Sequence, residues 1–177
     1  MSKHARLTKL SLAALALAMT AAAGSAVAAQ ATATSTSTVV TPISITAPVN
    51  LSFGSFAAGA TGGTVTLTPG GARTAGGGVT LAGGTAGAAR FDVSGSASLT
   101  YSIVFSGAAT LSDGSNTMAF TRISDTSASA ITSGDVATGT LSSGGAQSIF
   151  VGGVLTVSAN QPAGTYAGSV TATVEYN

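Results

Sequence analysis

The segment GTYAGSVTATVEYN, residues 164–177, alternates between apolar and polar side chains over most of its length. One face carries Tyr166, Val170, Ala172, Val174 and Tyr176, and the other carries Thr165, Ser169, Thr171, Thr173 and Glu175. A period of two residues is the pattern of a half-buried strand. Because chain ends fray unless they are tied down, this pattern predicts a long strand that buries its apolar face and pairs with a neighbour.

The sequence before this segment also reads as short strands separated by turns. Leu99, Tyr101, Ile103 and Phe105 alternate with polar residues and predict an interior strand. Asp113-Gly114 predicts a tight hairpin turn, and Gly152-Gly153 predicts a break between strands at 147–151 and 154–158. We therefore expect an all-β fold, a β-sandwich that is Ig-like in the broad sense.

The first strand leaves two interpretations open. The odd-numbered residues from 39 to 53 are mostly apolar and would lie on one face of a strand: Val39, Thr41, Ile43, Ile45, Ala47, Val49, Leu51 and Phe53. Pro42 and Pro48 interrupt it, and proline lacks the amide donor, so the pattern favours an edge strand or a broken one. Periodicity predicts a strand without naming its partner, so the strand either completes its own sheet or serves a neighbouring molecule.

Composition divides the chain into three parts. Residues 1–29 combine a basic start, an apolar run from Leu10 to Ala23 and the small residues Ala26-Val27-Ala28, which is typical of a cleaved signal peptide. Residues 30–38 contain only Gln, Ala, Thr and Ser and are predicted to be a flexible arm. Residues 39–177 are predicted to be a single β-sandwich domain. We expect export to the periplasm, then the cell surface or the medium, with no membrane span once the leader is removed.

Charge and residue usage argue against most catalytic sites. Beyond residue 29 the chain has no Cys, His or Lys, and three arginines stand against four aspartates and one glutamate, a net charge of −2. Triads that need His or Cys, Walker A loops that need Lys and the usual zinc ligand sets are thereby excluded. No basic patch is present for nucleic acid. We therefore predict no enzyme activity, no catalytic residue, no cofactor and no metal site, and we interpret Asp113–Asn116 as a turn rather than a calcium loop.

Several short motifs resemble the DUF4402 family of small secreted bacterial β-proteins. They are LSFG at 51–54, VGGVLTV at 151–157, PAGTYAG at 162–168 and VEYN at 174–177. The resemblance extends roughly from Val39 to Asn177 and rests on short glycine-rich motifs. It implies a secreted β-sandwich and names no activity.

The end of the chain is also similar to that of chaperone–usher pilins. Those subunits carry a penultimate aromatic residue and a glycine fourteen residues from the end, positions that Tyr176 and Gly164 occupy here. The chain departs from many of them in lacking a disulfide, since it has no cysteine. The similarity implies an incomplete sandwich whose C-terminal strand, with Gly164, Tyr166, Val170, Val174 and Tyr176, pairs with a periplasmic chaperone. At an outer-membrane usher, the arm of an identical or related subunit then takes the chaperone's place. The similarity implies that residues 30–47 are the candidate donor arm of a pilin-like, incomplete sandwich, with Val39, Ile43 and Ile45 filling successive pockets of the neighbour.

Two functions follow as hypotheses. The first is a structural subunit of a cell-surface fimbria-like fibre, assembled by β-strand complementation. The second is a self-contained secreted or surface-associated β-sandwich with a binding or coating role. Carboxylate-only catalysis ranks last, because nothing in the spacing of the five acidic residues indicates a catalytic pair.

Overall fold

The computed structural model describes residues 28–177, so almost all of the predicted signal peptide lies outside the described residues. Residues 28–38 have no helix or strand and are exposed. Val39–Asn177 forms a compact unit of twelve strands, and no helix occurs within 28–177. The strands are β1 (Ser44–Val49), β2 (Ser52–Phe53), β3 (Phe56–Leu67), β4 (Arg73–Leu81), β5 (Ala86–Gly87), β6 (Ala89–Ser94), β7 (Thr100–Gly107), β8 (Thr110–Ser112), β9 (Thr117–Asp125), β10 (Thr138–Thr140), β11 (Ala146–Val157) and β12 (Val170–Tyr176).

The larger sheet is built around β11. One edge of β11 pairs first with β6, over Ala146–Val151, and then with β3, over Gly153–Val157. Its other edge pairs with β9 over Phe150–Thr156. Strands β1, β4 and β8 extend the sheet by pairing with β6, β3 and β9 respectively, and every pairing is antiparallel.

The smaller sheet has the order β10-β7-β12 and packs on the first half of β11. Strand β7 lies in the middle, as its pattern predicted, and buries Tyr101 and Ile103. Burial raises the pKa of the Tyr101 hydroxyl, which donates a hydrogen bond to Gln147 Oε1 at 2.8 Å. The predicted all-β sandwich is confirmed.

Two apolar clusters form the core. The first lies between the sheets and contains residues of β6, β7, β11 and β12, with Ile43 and Ile45 packed at its margin. The second lies beneath β3, β4, β9 and the end of β11, and the smaller sheet adds only Val170 at its margin. Phe53 and Tyr166 cover this second cluster, and Phe53 meets Phe120 edge to face with ring centroids 6.0 Å apart.

The predicted break at Gly152-Gly153 is wrong, because β11 runs through both glycines without interruption. A Cβ atom on Gly152 would collide with the carbonyl oxygen of Leu67, and one on Gly153 would collide with the Phe120 ring. These glycines therefore allow neighbouring groups to approach the strand closely. They do not turn the chain.

The single parity predicted for residues 39–53 fails at Ala47 and Val49, which are exposed, and returns at Leu51 and Phe53, which pack in the core. Ile45 faces the core opposite Val93, but the register shifts between Thr46 and Val49, so Val49 lies opposite Arg90 and is 40% exposed. Pro48 lies within this bulge, where its missing amide donor is tolerated.

Candidate strand-pairing site

Strand β12 differs from the other strands that end a sheet. Among the described residues, β1 carries Pro48 and a register shift. Strand β4 contains Gly77 at φ 65° and lies opposite an irregular stretch of β3 between Ala58 and Gly63. Strands β8 and β10 have three residues each. Bulges, prolines and short length are devices that keep an edge from pairing with another chain. Strand β12 has seven residues in unbroken register and contains neither proline nor glycine, so its outer edge has none of these protections.

The hydrogen bonds to β7 identify which backbone groups of β12 point outward. The amide of Ala108 donates to the carbonyl of Ser169 at 2.9 Å, and the amide of Asn177 donates to the carbonyl of Thr100 at 3.3 Å. Alternate residues of an antiparallel strand face the same neighbour, so the odd-numbered residues face β7. The amides and carbonyls of Val170, Ala172, Val174 and Tyr176 therefore face the free edge.

The inner face of β12 agrees with the sequence pattern. Ala172 is buried in the first cluster, and Val170, Val174 and Tyr176 pack against it. Thr171, Thr173 and Glu175 are exposed on the other face. The predicted apolar face is therefore confirmed from Val170 to Tyr176.

The predicted strand is shorter at its start, because residues 164–169 form a loop with a single bridge between Ala167 and Ser112. The Tyr166 hydroxyl donates to the carbonyl of Pro162 and accepts from Gln161 Nε2, each at 2.9 Å. These bonds hold the ring over the second cluster, away from the line of β12. The one-strand prediction is therefore wrong for Gly164 and Tyr166.

Tyr176 closes one end of the space between β1 and β12. Its hydroxyl accepts from the amide of Ser96 at 2.6 Å and donates to the carbonyl of Thr41 at 2.9 Å. The amide of Thr41 in turn donates to Ser96 Oγ at 2.7 Å. The chain is therefore fixed at Thr41, beside the C-terminal end of β12.

A cleft of about 920 Å³ opens at the other end of β12. Its walls are residues 50–58 and residues 161–170, and its floor includes Leu111, Met118, Phe120 and Leu155. None of the lining residues is charged. The cleft thus reaches down to the second cluster beside the start of the free edge, and the Met118, Phe120 and Leu155 side chains of its floor are themselves buried.

Arg73 holds one wall of this cleft. Its guanidinium donates to the carbonyls of Phe53 at 2.6 Å, Ser55 at 3.3 Å and Gly83 at 3.2 Å. The cation thereby adds charged hydrogen bonds to a turn that is also paired through the backbone, since Ser55 exchanges hydrogen bonds with Ala82 and Gly83. The sequence analysis did not single out Arg73 or this turn, since an isolated arginine gives no pattern.

The candidate donor residues occupy two different environments. Ile45 lies in β1, opposite Val93 of β6, and Ile43 packs beside it on the chain's own core. Val39 is 94% exposed and Val40 is 45% exposed. Whether Val39, Ile43 and Ile45 serve a neighbouring molecule stays a prediction.

Most charged residues of the described part are engaged in local structure. Arg122 forms an ion pair with Asp135 at 2.7 Å and lies over the Phe105 ring at 4.4 Å, and Arg90 pairs with Asp92. Hydrogen bonds from Asn116 and Ser115 lower the pKa of Asp113 to about 2, as expected for a hairpin turn. Within residues 28–177, no three His, Cys, Asp or Glu side chains are grouped as metal ligands.

One of three comparisons with known proteins gives a match. A family model described as "Domain of unknown function (DUF4402)" matches residues 43–176. Neither the curated proteins nor the solved structures give a match. In the described part of the chain, no helix is long and apolar enough to cross a bilayer. Because the family model covers more than half of the sequence, this chain belongs to the DUF4402 family.

Proposed function

We propose that this chain is a structural subunit of a cell-surface fimbria-like fibre, assembled by β-strand complementation. The observation that carries the proposal is the outer edge of β12, which offers the backbone groups of four consecutive outward-facing residues and lacks every protection found on the other sheet edges. An unprotected edge of this length is a template for pairing with another chain.

In this mechanism the edge is never left exposed for long. After export, a periplasmic chaperone adds a strand along β12 and covers the apolar surface at its start. At an outer-membrane usher, a strand from the neighbouring subunit replaces the chaperone strand. Each subunit then supplies one strand and receives one, which is a heterologous contact that builds an open filament.

The low charge of the chain supports the same proposal. The described residues carry three arginines and five acidic residues, and two ion pairs and the Asp113 turn engage most of them. Little charge repulsion therefore opposes the close packing of copies.

The test is expression of residues 30–177 in a periplasm with and without a chaperone of the strand-donating class. We expect the chaperone to raise the yield and to form a one-to-one complex, and the released subunit to polymerise into fibres visible by negative-stain microscopy. Equal yields of a monomer that never polymerises would overturn the proposal.

A second candidate is a self-contained surface domain with a binding or coating role. The observation that favours it is β1, which pairs within the chain and places Ile43 and Ile45 on the chain's own core. This candidate predicts reversible two-state unfolding with a midpoint independent of protein concentration, as for small monomeric domains. A midpoint that rises with concentration would exclude it.

A further inference from the structure

Val39 and Val40 are apolar residues without an apolar environment. They are 94% and 45% exposed, and residues 28–38 before them contain only Ala, Gln, Thr and Ser. Within the described residues, this pair is thus the first large apolar feature of the chain. Two adjacent exposed β-branched residues are suited to an extended segment that is buried on association.

The structure fixes where this pair leaves the domain. Thr41 is held by Ser96 Oγ and by the Tyr176 hydroxyl, so Val39 lies two residues from an anchored position. That position is at the C-terminal end of β12. The uncharged cleft lies at the N-terminal end, where Val170 is part of its lining.

The chain is too short at this point to fill its own cleft. Strand β12 has seven residues, so its ends are roughly 20 Å apart at the usual rise per residue. Two fully extended residues reach only about 7 Å. While Thr41 is bound, Val39 cannot reach the cleft of its own molecule, and only the cleft of another molecule is available to it.

The cleft and the segment match in chemistry. The buried side chains of Phe53, Phe120, Met118 and Leu155 form the apolar floor of the cleft, and none of its lining residues is charged. The segment before Val39 is also uncharged, and most of its side chains are the small ones of Ala, Ser and Thr. Burial of two valines in such a site favours association.

We propose that Val39 and Val40 of one copy occupy the cleft between residues 50–58 and 161–170 of the next copy. The inference rests on the proposed function, since it names the partner of the surface beside β12 as a second copy of this chain. The exit point and the cleft lie at opposite ends of β12. The contact therefore links copies head to tail and does not close on a pair.

Disulfide trapping tests the contact directly, because the chain has no cysteine of its own. Val39→Cys and Ala163→Cys are made as separate variants of residues 30–177, mixed and oxidised; Ala163 is exposed on the cleft wall. We expect covalent heterodimers between positions 39 and 163. The matched control is Val104→Cys mixed with Ala163→Cys, because Val104 is 62% exposed on the smaller sheet, away from the cleft lining.

Three outcomes decide the question. A heterodimer yield no higher than that of the control overturns the proposal, and so does an intramolecular disulfide as the main product of the Val39→Cys/Ala163→Cys double variant. A ladder of oligomers from the double variant supports it. The variant Val39→Ser/Val40→Ser, followed by light scattering, should weaken association by about 100-fold, the loss expected from two buried valines.

The same experiment separates this inference from the proposed function. If positions 39 and 163 are trapped but the chain forms no fibre when the chaperone is supplied, the cleft contact is supported and the fibre function is overturned. If fibres form only with the chaperone and no disulfide is trapped, the fibre function is supported and the cleft contact is overturned.

Discussion

A proline scan of β12 tests the assignment of its free edge, because proline removes one backbone donor at a chosen position. The Thr173 amide faces Val104 of β7, whereas the Val174 amide faces outward. Thr173→Pro should break a bond of the sheet, and Val174→Pro should break none. The two changes lie at adjacent positions of one strand and share the strain of a fixed φ.

The expected stabilities follow from this difference. Thr173→Pro leaves the carbonyl of Val104 without its donor, which costs about 1–3 kcal/mol beyond the shared strain. Val174→Pro loses only part of the packing of a half-buried side chain, and Val174→Ala measures that loss separately because alanine keeps the amide. Urea unfolding of the three variants gives the free energies of unfolding.

Val174→Pro should be the more stable of the two proline variants, but it should be the one that fails to assemble. Val174→Pro removes a donor that a complementing strand needs and places a ring on the free edge, so we expect a folded subunit that binds neither chaperone nor neighbour. Val174→Ala should assemble as the unaltered chain does. The reasoning is refuted if Val174→Pro polymerises normally, or if Thr173→Pro and Val174→Pro are equally stable.

Three further predictions concern the residues around the site. Tyr176→Phe loses both hydroxyl hydrogen bonds and should lower the free energy of unfolding by about 1–2 kcal/mol, with faster amide exchange at Ser96 measured by NMR. Arg73→Ala removes the side-chain donor of the Phe53 carbonyl, whereas the carbonyls of Ser55 and Gly83 keep backbone donors, so we expect a destabilisation of about 1–2 kcal/mol. Arg73→Lys should recover part of this loss, and thermal unfolding measures both variants. The folded-state pKa of Asp113 is depressed from 3.8 to about 2, so its contribution to stability is full above pH 3.8 and is lost as the pH falls towards 2. Asp113→Asn should flatten this part of the acid-unfolding curve, and an unchanged curve would contradict the assignment.

Side-chain alternation predicted the faces of the strands well. Tyr101 and Ile103 in β7, Met118 and Phe120 in β9, and the residues from Val170 to Tyr176 in β12 all bury the predicted face. The Asp113-Gly114 hairpin is confirmed too, because its turn chemistry is local. Local patterns succeed where the nearest neighbours in sequence decide the structure.

The failures come from contacts between distant residues. Gly152 and Gly153 read as a turn because the sequence does not show that Leu67 and Phe120 crowd the strand there. Tyr166 continues the parity of β12, but its hydroxyl is bound by Gln161 and Pro162 and draws the chain into a loop.

The cleft was beyond sequence reasoning for the same reason. It joins two walls from opposite halves of the domain, and Arg73 reaches across to hold one of them. Side-chain alternation predicts which residues form a strand but does not identify the strand that pairs with it. The free edge of β12 could therefore be recognised only from the topology.

The shared edge of β11 has a consequence for the order in which the protein folds. Strands β3 and β6 have no partner in common except β11, whose residues Gly153–Val157 and Ala146–Val151 come much later in the chain. A ribosome or export channel delivers the N-terminal strands first. Strand β3 can then pair with β4, and β6 with β1, but the edges that β11 covers stay unpaired until Val157 has emerged. Such non-local pairing slows folding and exposes the chain to aggregation meanwhile. The larger sheet can therefore form completely only after β11 has emerged.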